Sequence, residues 1–95
     1  MHIITRKRLQ EFAGEHPNAE SGLEHWYRLI KRNNFRSFVE LRQTFPAADQ
    51  VNDLTVFNIS GNHFRLIAAI HYNTGRVYIR HILTHAEYDR GDWKK

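Results

Sequence analysis

A chain of 95 residues makes one domain that buries about 60 to 65% of the surface its unfolded form exposes, which leaves no room for a separate cofactor domain. With no cysteine, disulfides and thiolate metal sites are excluded. Fourteen Lys and Arg against ten Asp and Glu give a net +4 and a pI near 9.8, a balance that favours an anionic partner such as nucleic acid or an acidic protein segment.

The first residues lack the apolar run of a signal peptide, and no window approaches the roughly 18 apolar residues that span a bilayer, so a soluble, cytoplasmic protein without a membrane partner is expected. His2–Ile4 reads as a short strand at a sheet edge. Thr5 then caps a predicted helix over 6–15, whose apolar positions Leu9, Phe12 and Ala13 share one side before Gly14 and Pro17 end it. After Pro17 a second helix follows from Ala19, Leu23, Trp26, Tyr27 and Ile30 at helical spacing. Glu20 and Glu24 lead on its outer face and Arg28, Lys31 and Arg32 follow, the order that the helix dipole favours. Asn33-Asn34 stops it. Ser37-Phe38-Val39-Glu40 carries capping-box spacing for a short third helix ending before Pro46, with Phe38, Leu41 and Phe45 inside.

The polar stretch 49–53 reads as a loop, after which the period becomes two. Phe57, Ile59, Phe64, Leu66, Ala68 and Ile70 share a face if Gly61-Asn62 forms a tight hairpin, which sets Ile59 opposite Phe64, Phe57 opposite Leu66 and Asn58 opposite Arg65. A second hairpin falls at Asn73-Thr74-Gly75. With Thr74-Gly75 central, Ala69 opposes Arg80 and His71 opposes Tyr78, so Arg65, His71, Tyr78 and Arg80 share one face while Val77, Ile79 and Leu83 join the apolar set. A three-residue turn with a glycine bulge would shift that register. Thr84-His85-Ala86-Glu87 again has capping-box spacing and starts a short final helical turn carrying His85 and Tyr88. The tail over 90–95 is expected to be loose apart from Trp93. The sum is an α+β fold in a single domain, 1–95, with N-terminal helices packed on one face of a small antiparallel sheet and the other face free.

On that free face Arg65 and Arg80 are candidates for phosphate binding, because a guanidinium presents several donors in a fixed fork and keeps its charge; the alternative is a pair of solvated strand residues. His71, His81 and His85 are the candidate proton carriers. The proposed register turns His81 toward the apolar side as a hydrogen-bonded core histidine, whereas His85 lies just past the strand end. Tyr88, three residues on, shares the helical side of His85 and either donates a proton, stacks on a base, or packs against Trp93 or the helices. Seven histidines raise the question of a metal, but no metal-ligand spacing is present, and neither a metal nor a cofactor is expected. A serine nucleophile, a phosphate-binding glycine loop and a dinucleotide fingerprint are missing as well. Arginine, histidine and tyrosine gathered on one small sheet suggest an RNA-cleaving surface.

The chain resembles the HigB family of type II toxin-antitoxin toxins, within the RelE and ParE superfamily. The likeness runs through His2-Ile3-Ile4-Thr5, Ser37-Phe38-Val39-Glu40-Leu41, Thr44-Phe45-Pro46, Val56-Phe57-Asn58-Ile59, Gly61-Asn62, Phe64-Arg65-Leu66-Ile67 and Tyr78-Ile79-Arg80. It ends in the most specific piece, Leu83-Thr84-His85-Ala86-Glu87-Tyr88-Asp89. The resemblance implies a RelE-like fold and a ribosome-dependent mRNA interferase that enters the ribosomal A site. It implies metal-independent cleavage, by activation of the ribose 2′-hydroxyl against the adjacent phosphate. A HigA-like helix-turn-helix antitoxin would neutralise it and alone contact operator DNA. By the same likeness Arg65 holds the scissile phosphate, while Arg80, His85 and Tyr88 supply charge stabilisation and proton transfer. Better-studied relatives use a lysine-rich approach to the site. Here Asn58, His63, His71 and Tyr78 stand at nearby positions as the expected RNA contacts, and the general base stays open. Some members of the superfamily inhibit gyrase without cutting RNA, so a noncatalytic protein-binding toxin is the alternative.

Overall fold

Helical spacing in the first half of the chain and alternation in the second produce two layers. The computed structural model describes residues 1–94. Strand β1 (His2–Ile4), helices α1 (Lys7–Glu15), α2 (Glu20–Arg32) and α3 (Phe38–Thr44) come first, with a 3-10 turn at Pro17–Ala19. Strands β2 (Asp49–Val51), β3 (Leu54–Ile59), β4 (Phe64–His71) and β5 (Arg76–Thr84) follow, then helix α4 (His85–Arg90) and a 3-10 turn at Asp92–Lys94. The five strands lie in the order β1-β5-β4-β3-β2. All pairings are antiparallel except that of β1, which runs parallel to β5 with His2 beside Arg76 and Ile4 beside Tyr78.

The apolar stripes of the helices meet one face of the sheet. Leu9, Leu23, Trp26, Ile30 and Leu41 pack there on Phe57, Ile59, Phe64, Leu66, Ala68, Val77 and Ile79, and each large side chain buried in this way contributes about 1.5 to 3 kcal/mol. Trp26 meets the Phe57 ring edge-on at 5.5 Å. This is the expected α+β arrangement, completed by a short C-terminal helix.

Several expectations change in detail. Thr5 does not cap α1: its backbone turns left-handed at φ 68°, and its hydroxyl donates to the carbonyl of Ile79 at 3.2 Å. The sharp strand-to-helix turn aims that hydroxyl at β5, and Arg6 takes the N-cap position without a side-chain bond. Ser37 does cap α3, accepting from the Glu40 amide at 3.2 Å, while the Glu40 carboxylate accepts from the Arg36 amide at 3.1 Å. The stretch 49–53 is not all loop, because Asp49–Val51 pairs with β3, Gln50 standing beside Thr55. An edge strand needs only its backbone to pair, so its polar side chains concealed it.

The first hairpin has the expected register, with Asn58 opposite Arg65. The second does not. Four residues, 72–75, form its loop, closed by amides of Thr74 and Gly75 donating to the His71 carbonyl and by Gly75 at φ 69°. His71 therefore faces Arg76 and Ala69 faces Tyr78. A bulge then takes up one residue of β5, since Ala68 pairs with Ile79 but Ile67 pairs with His81. Leu83 consequently faces Arg65 and leaves the helix-side core. It joins Val56, Ile67, Trp93, Leu54 and Tyr88 in a second apolar cluster on the opposite face. That face is thus not bare. Nor is the described part of the tail loose, for Gly91 ends α4 in the left-handed conformation and Trp93 is buried, its indole N–H donating to the Tyr88 carbonyl at 3.1 Å.

Candidate active site

Arg65 is the best-held of the sequence-predicted side chains. Only 8% of it is exposed. Its Nη1 donates to the carbonyls of Asn62 and Phe64 at 3.2 and 3.0 Å, and its Nη2 donates to Asn62 Oδ1 at 2.8 Å. The Tyr88 ring covers the guanidinium at 5.4 Å from its centroid. Oriented acceptors and an aromatic face are what a buried cation needs to offset lost hydration. Those three bonds use three of the five N–H groups of the guanidinium and leave two without a hydrogen-bond partner among the described residues.

The start of α4 is fixed with comparable care. Thr84 Oγ1 accepts from the Glu87 amide, and Glu87 Oε1 accepts from the Thr84 amide at 2.9 Å, completing a capping box. The Thr84 backbone bond, more than any other cause, holds the Glu87 carboxyl below its ordinary value. The His85 amide donates to the His63 carbonyl at 3.0 Å, tying the β3–β4 turn to the helix. His85 Nδ1 lies 2.8 Å from Asp89 Oδ2, with the two side chains 45% and 60% exposed. So exposed a pair adds little stability. Its effect is to orient the imidazole, with Nδ1 engaged by the carboxylate and Nε2 without a partner among the described residues. Tyr88 follows His85 at the spacing that shares a helix side.

Arg80 sits in the bulge. Its neighbours Ile79 and Ile82 both belong to the helix-side core, so Arg80 and His81 both turn to the other face, the side-by-side placement that a bulge permits. The expectation of a core His81 is overturned for that reason. Partial burial, then the charges of Arg8 and Arg80, hold the His81 imidazole below its ordinary pKa. The Arg80 side chain is exposed while its carbonyl accepts from Arg8 Nη1 at 2.7 Å. It stands three positions from Leu83, the partner of Arg65, or about 10 Å along the strand.

The structure therefore brings Arg65, Tyr88, Asn58, His63 and His85 to one end of the sheet and puts Arg80 with His81 midway. It does not bring His71 and Tyr78 to that end. Their rings meet edge-on at 5.1 Å near the far end of β4, about 20 Å from Arg65 by strand rise. Two contributors, Asp89 and Asn62, were not among the expected site residues. Asp89 was signalled by its spacing from His85, and Asn62 by its place in the turn before Arg65. Trp93 stacks on Tyr88 at 5.3 Å and 13°, the packing that was one of the expected alternatives for Tyr88. Among the described residues no group of three or more His, Asp or Glu side chains is placed to hold a metal ion.

Helices over one face of a five-stranded, mostly antiparallel sheet, with a short C-terminal helix beside an anchored arginine, define a small protein of RelE-like architecture. The family described as HigB_toxin, RelE-like toxic component of a toxin-antitoxin system, matches residues 19–91, and the chain belongs to that family. It is 38% identical over 93 residues to the mRNA interferase HigB of Escherichia coli O6:H1, covering 95% of this chain and 90% of the relative. It is 34% identical over 92 residues to the mRNA interferase HigB of Shigella flexneri, covering 94% of this chain and 88% of that relative.

Proposed function

We propose that this toxin is a cytoplasmic, metal-independent endoribonuclease that cuts messenger RNA held in the ribosomal A site. The observation that carries the reading is Arg65, a buried cation under the Tyr88 ring, held at the same end of the sheet as a histidine paired with a carboxylate. Arg65 binds the scissile phosphate and stabilises negative charge as it develops. The ribose 2′-oxygen bonds to phosphorus, the bond from phosphorus to the 5′-oxygen breaks, and a cyclic phosphate and a 5′-hydroxyl result. A base takes the 2′-hydroxyl proton and an acid returns one to the leaving 5′-oxygen. His85, through Nε2, is placed for one of these transfers, and the Tyr88 hydroxyl is the candidate for the other.

Asn58 and His63 contact the nucleotides flanking the cut. Arg80, about 10 Å along the strand, takes charge on the same RNA further out, and His71 and Tyr78 reach its most distant contacts. The ribosome supplies the alignment that an open sheet face lacks, converting loose encounter into a fixed geometry. A helix-turn-helix antitoxin neutralises the toxin and contacts operator DNA in its place.

Expression without antitoxin should arrest growth and leave cuts only in translated messages, mapped by sequencing RNA ends, and purified protein should be nearly inactive on naked RNA. Equal cleavage with and without ribosomes would remove the ribosome from the mechanism. Supercoiling defects with intact messages would replace cleavage with gyrase inhibition.

A further inference from the structure

The C-terminal turn does more than close the chain. Four groups are linked by successive contacts: the Arg65 guanidinium over the Tyr88 ring at 5.4 Å, the Tyr88 ring on Trp93 at 5.3 Å and nearly parallel, and the Lys94 ammonium over Trp93 at 5.6 Å. Trp93 is also bound to the residue it covers, through its indole N–H and the Tyr88 carbonyl at 3.1 Å. It is only 7% exposed and is wedged against Val56 and Ile67 of the sheet. A ring so enclosed has no face to offer a nucleobase. It can only fix its neighbour.

The neighbour needs fixing. Tyr88 is only partly buried, and α4 has six residues and no fully buried side chain of its own, too little to hold a ring in one place. Without Trp93 the Tyr88 ring would be free to leave the guanidinium, and Arg65 would lose its cover on that side.

We propose that Trp93 is a positioning residue for RNA cleavage, acting through the Tyr88 ring to hold Arg65 in the geometry that receives the phosphate. The family match ends at residue 91, so this part of the site lies outside it. The inference rests on the reading of the protein as a nuclease.

Cleavage of ribosome-bound message by wild type tests that reading first: if wild type does not cut, the nuclease assignment fails and takes the role of Trp93 with it. Given an active wild type, Trp93→Leu should lower kcat roughly ten- to a hundredfold, the scale of a misplaced catalytic group, with KM changed less than about twofold. Trp93→Phe, which keeps a ring on Tyr88, should recover most of the rate. In a Tyr88→Leu background the Trp93→Leu change should add nothing, since its route of action is already gone. If Trp93→Leu does not fold by circular dichroism at the assay temperature, Trp93→Met, which fills the space without a ring, takes its place with the same expectations. A folded ringless variant with full kcat overturns the proposal. So does an effect that multiplies in the Tyr88→Leu background.

Discussion

Replacing Arg65 separates two things the residue does, because its guanidinium both ties down the β3–β4 turn and faces the proposed phosphate. Arg65→Ala removes three hydrogen bonds from the turn, each worth about 1 kcal/mol net, and one guanidinium-to-ring contact worth about 0.5 to 1 kcal/mol. A loss of about 3.5 to 4 kcal/mol follows, or about 14 to 32 °C in Tm for a domain of this size. Catalysis should fall further than stability alone explains, by about ten- to a thousandfold at a temperature where the variant is still folded, as when a single charge-stabilising donor is removed. Arg65→Lys keeps the charge but cannot serve all three acceptors and a phosphate together, so it should recover part of each quantity. Thermal unfolding by circular dichroism, with single-turnover cleavage of ribosome-bound message well below Tm, reads both. A folded Arg65→Ala protein that cuts at the wild-type rate would refute the phosphate role. A loss of stability with no loss of rate would leave Arg65 as a clamp on the turn and nothing more.

Asp89→Asn should lower the cleavage rate about tenfold or more while changing stability by less than about 1 kcal/mol, because the pair it breaks is exposed and serves to aim His85; a pH-rate profile beside a melting curve checks both. Glu87 has a folded-state pKa below its ordinary 4.5, so the stability it lends is present above that pH and lost as pH falls through the folded value. Glu87→Gln should flatten the acid limb of a stability-versus-pH curve and cost about 1 kcal/mol at neutral pH, measured by urea unfolding. Gly22→Ala would place a methyl 2.6 Å from Ser60 Oγ and 2.9 Å from both Ile59 Cγ2 and the Ser60 amide. Urea midpoints should show a loss of about 1 to 3 kcal/mol from that overpacking, although alanine is the better helix former.

The parts of the fold that could be read from the chain are those whose side chains repeat with a period. Leu23, Trp26 and Ile30 announced α2, and Phe57, Ile59, Phe64 and Leu66 announced the first hairpin with its register. What stayed hidden was set by backbone. Asp49–Val51 joins the sheet by main-chain bonds with polar side chains, and the four-residue loop before Arg76 and the bulge at Arg80 leave no mark in polarity. Those two features together moved His71 and Tyr78 off their expected partners and turned His81 outward. In the site, Arg65, His85 and Tyr88 were legible as residue types able to do the chemistry. Their supports Asn62 and Asp89 were not, because a turn acceptor and an exposed acid are ordinary residues until the chain folds around them, whereas the stacking of Tyr88 on Trp93 was among the expected alternatives.

The parallel pairing of β1 with β5 has a consequence for when the protein becomes dangerous. Residues 2–4 leave the ribosome long before their partners 76–78, and pairing over such a separation must wait for the whole intervening chain. Arg65 emerges before the Tyr88 ring that covers it and before His85. A half-made chain is a helical layer without a finished sheet and without the machinery proposed to cut. Order of synthesis alone therefore delays the proposed site until His85 and Tyr88 have followed Arg65 out.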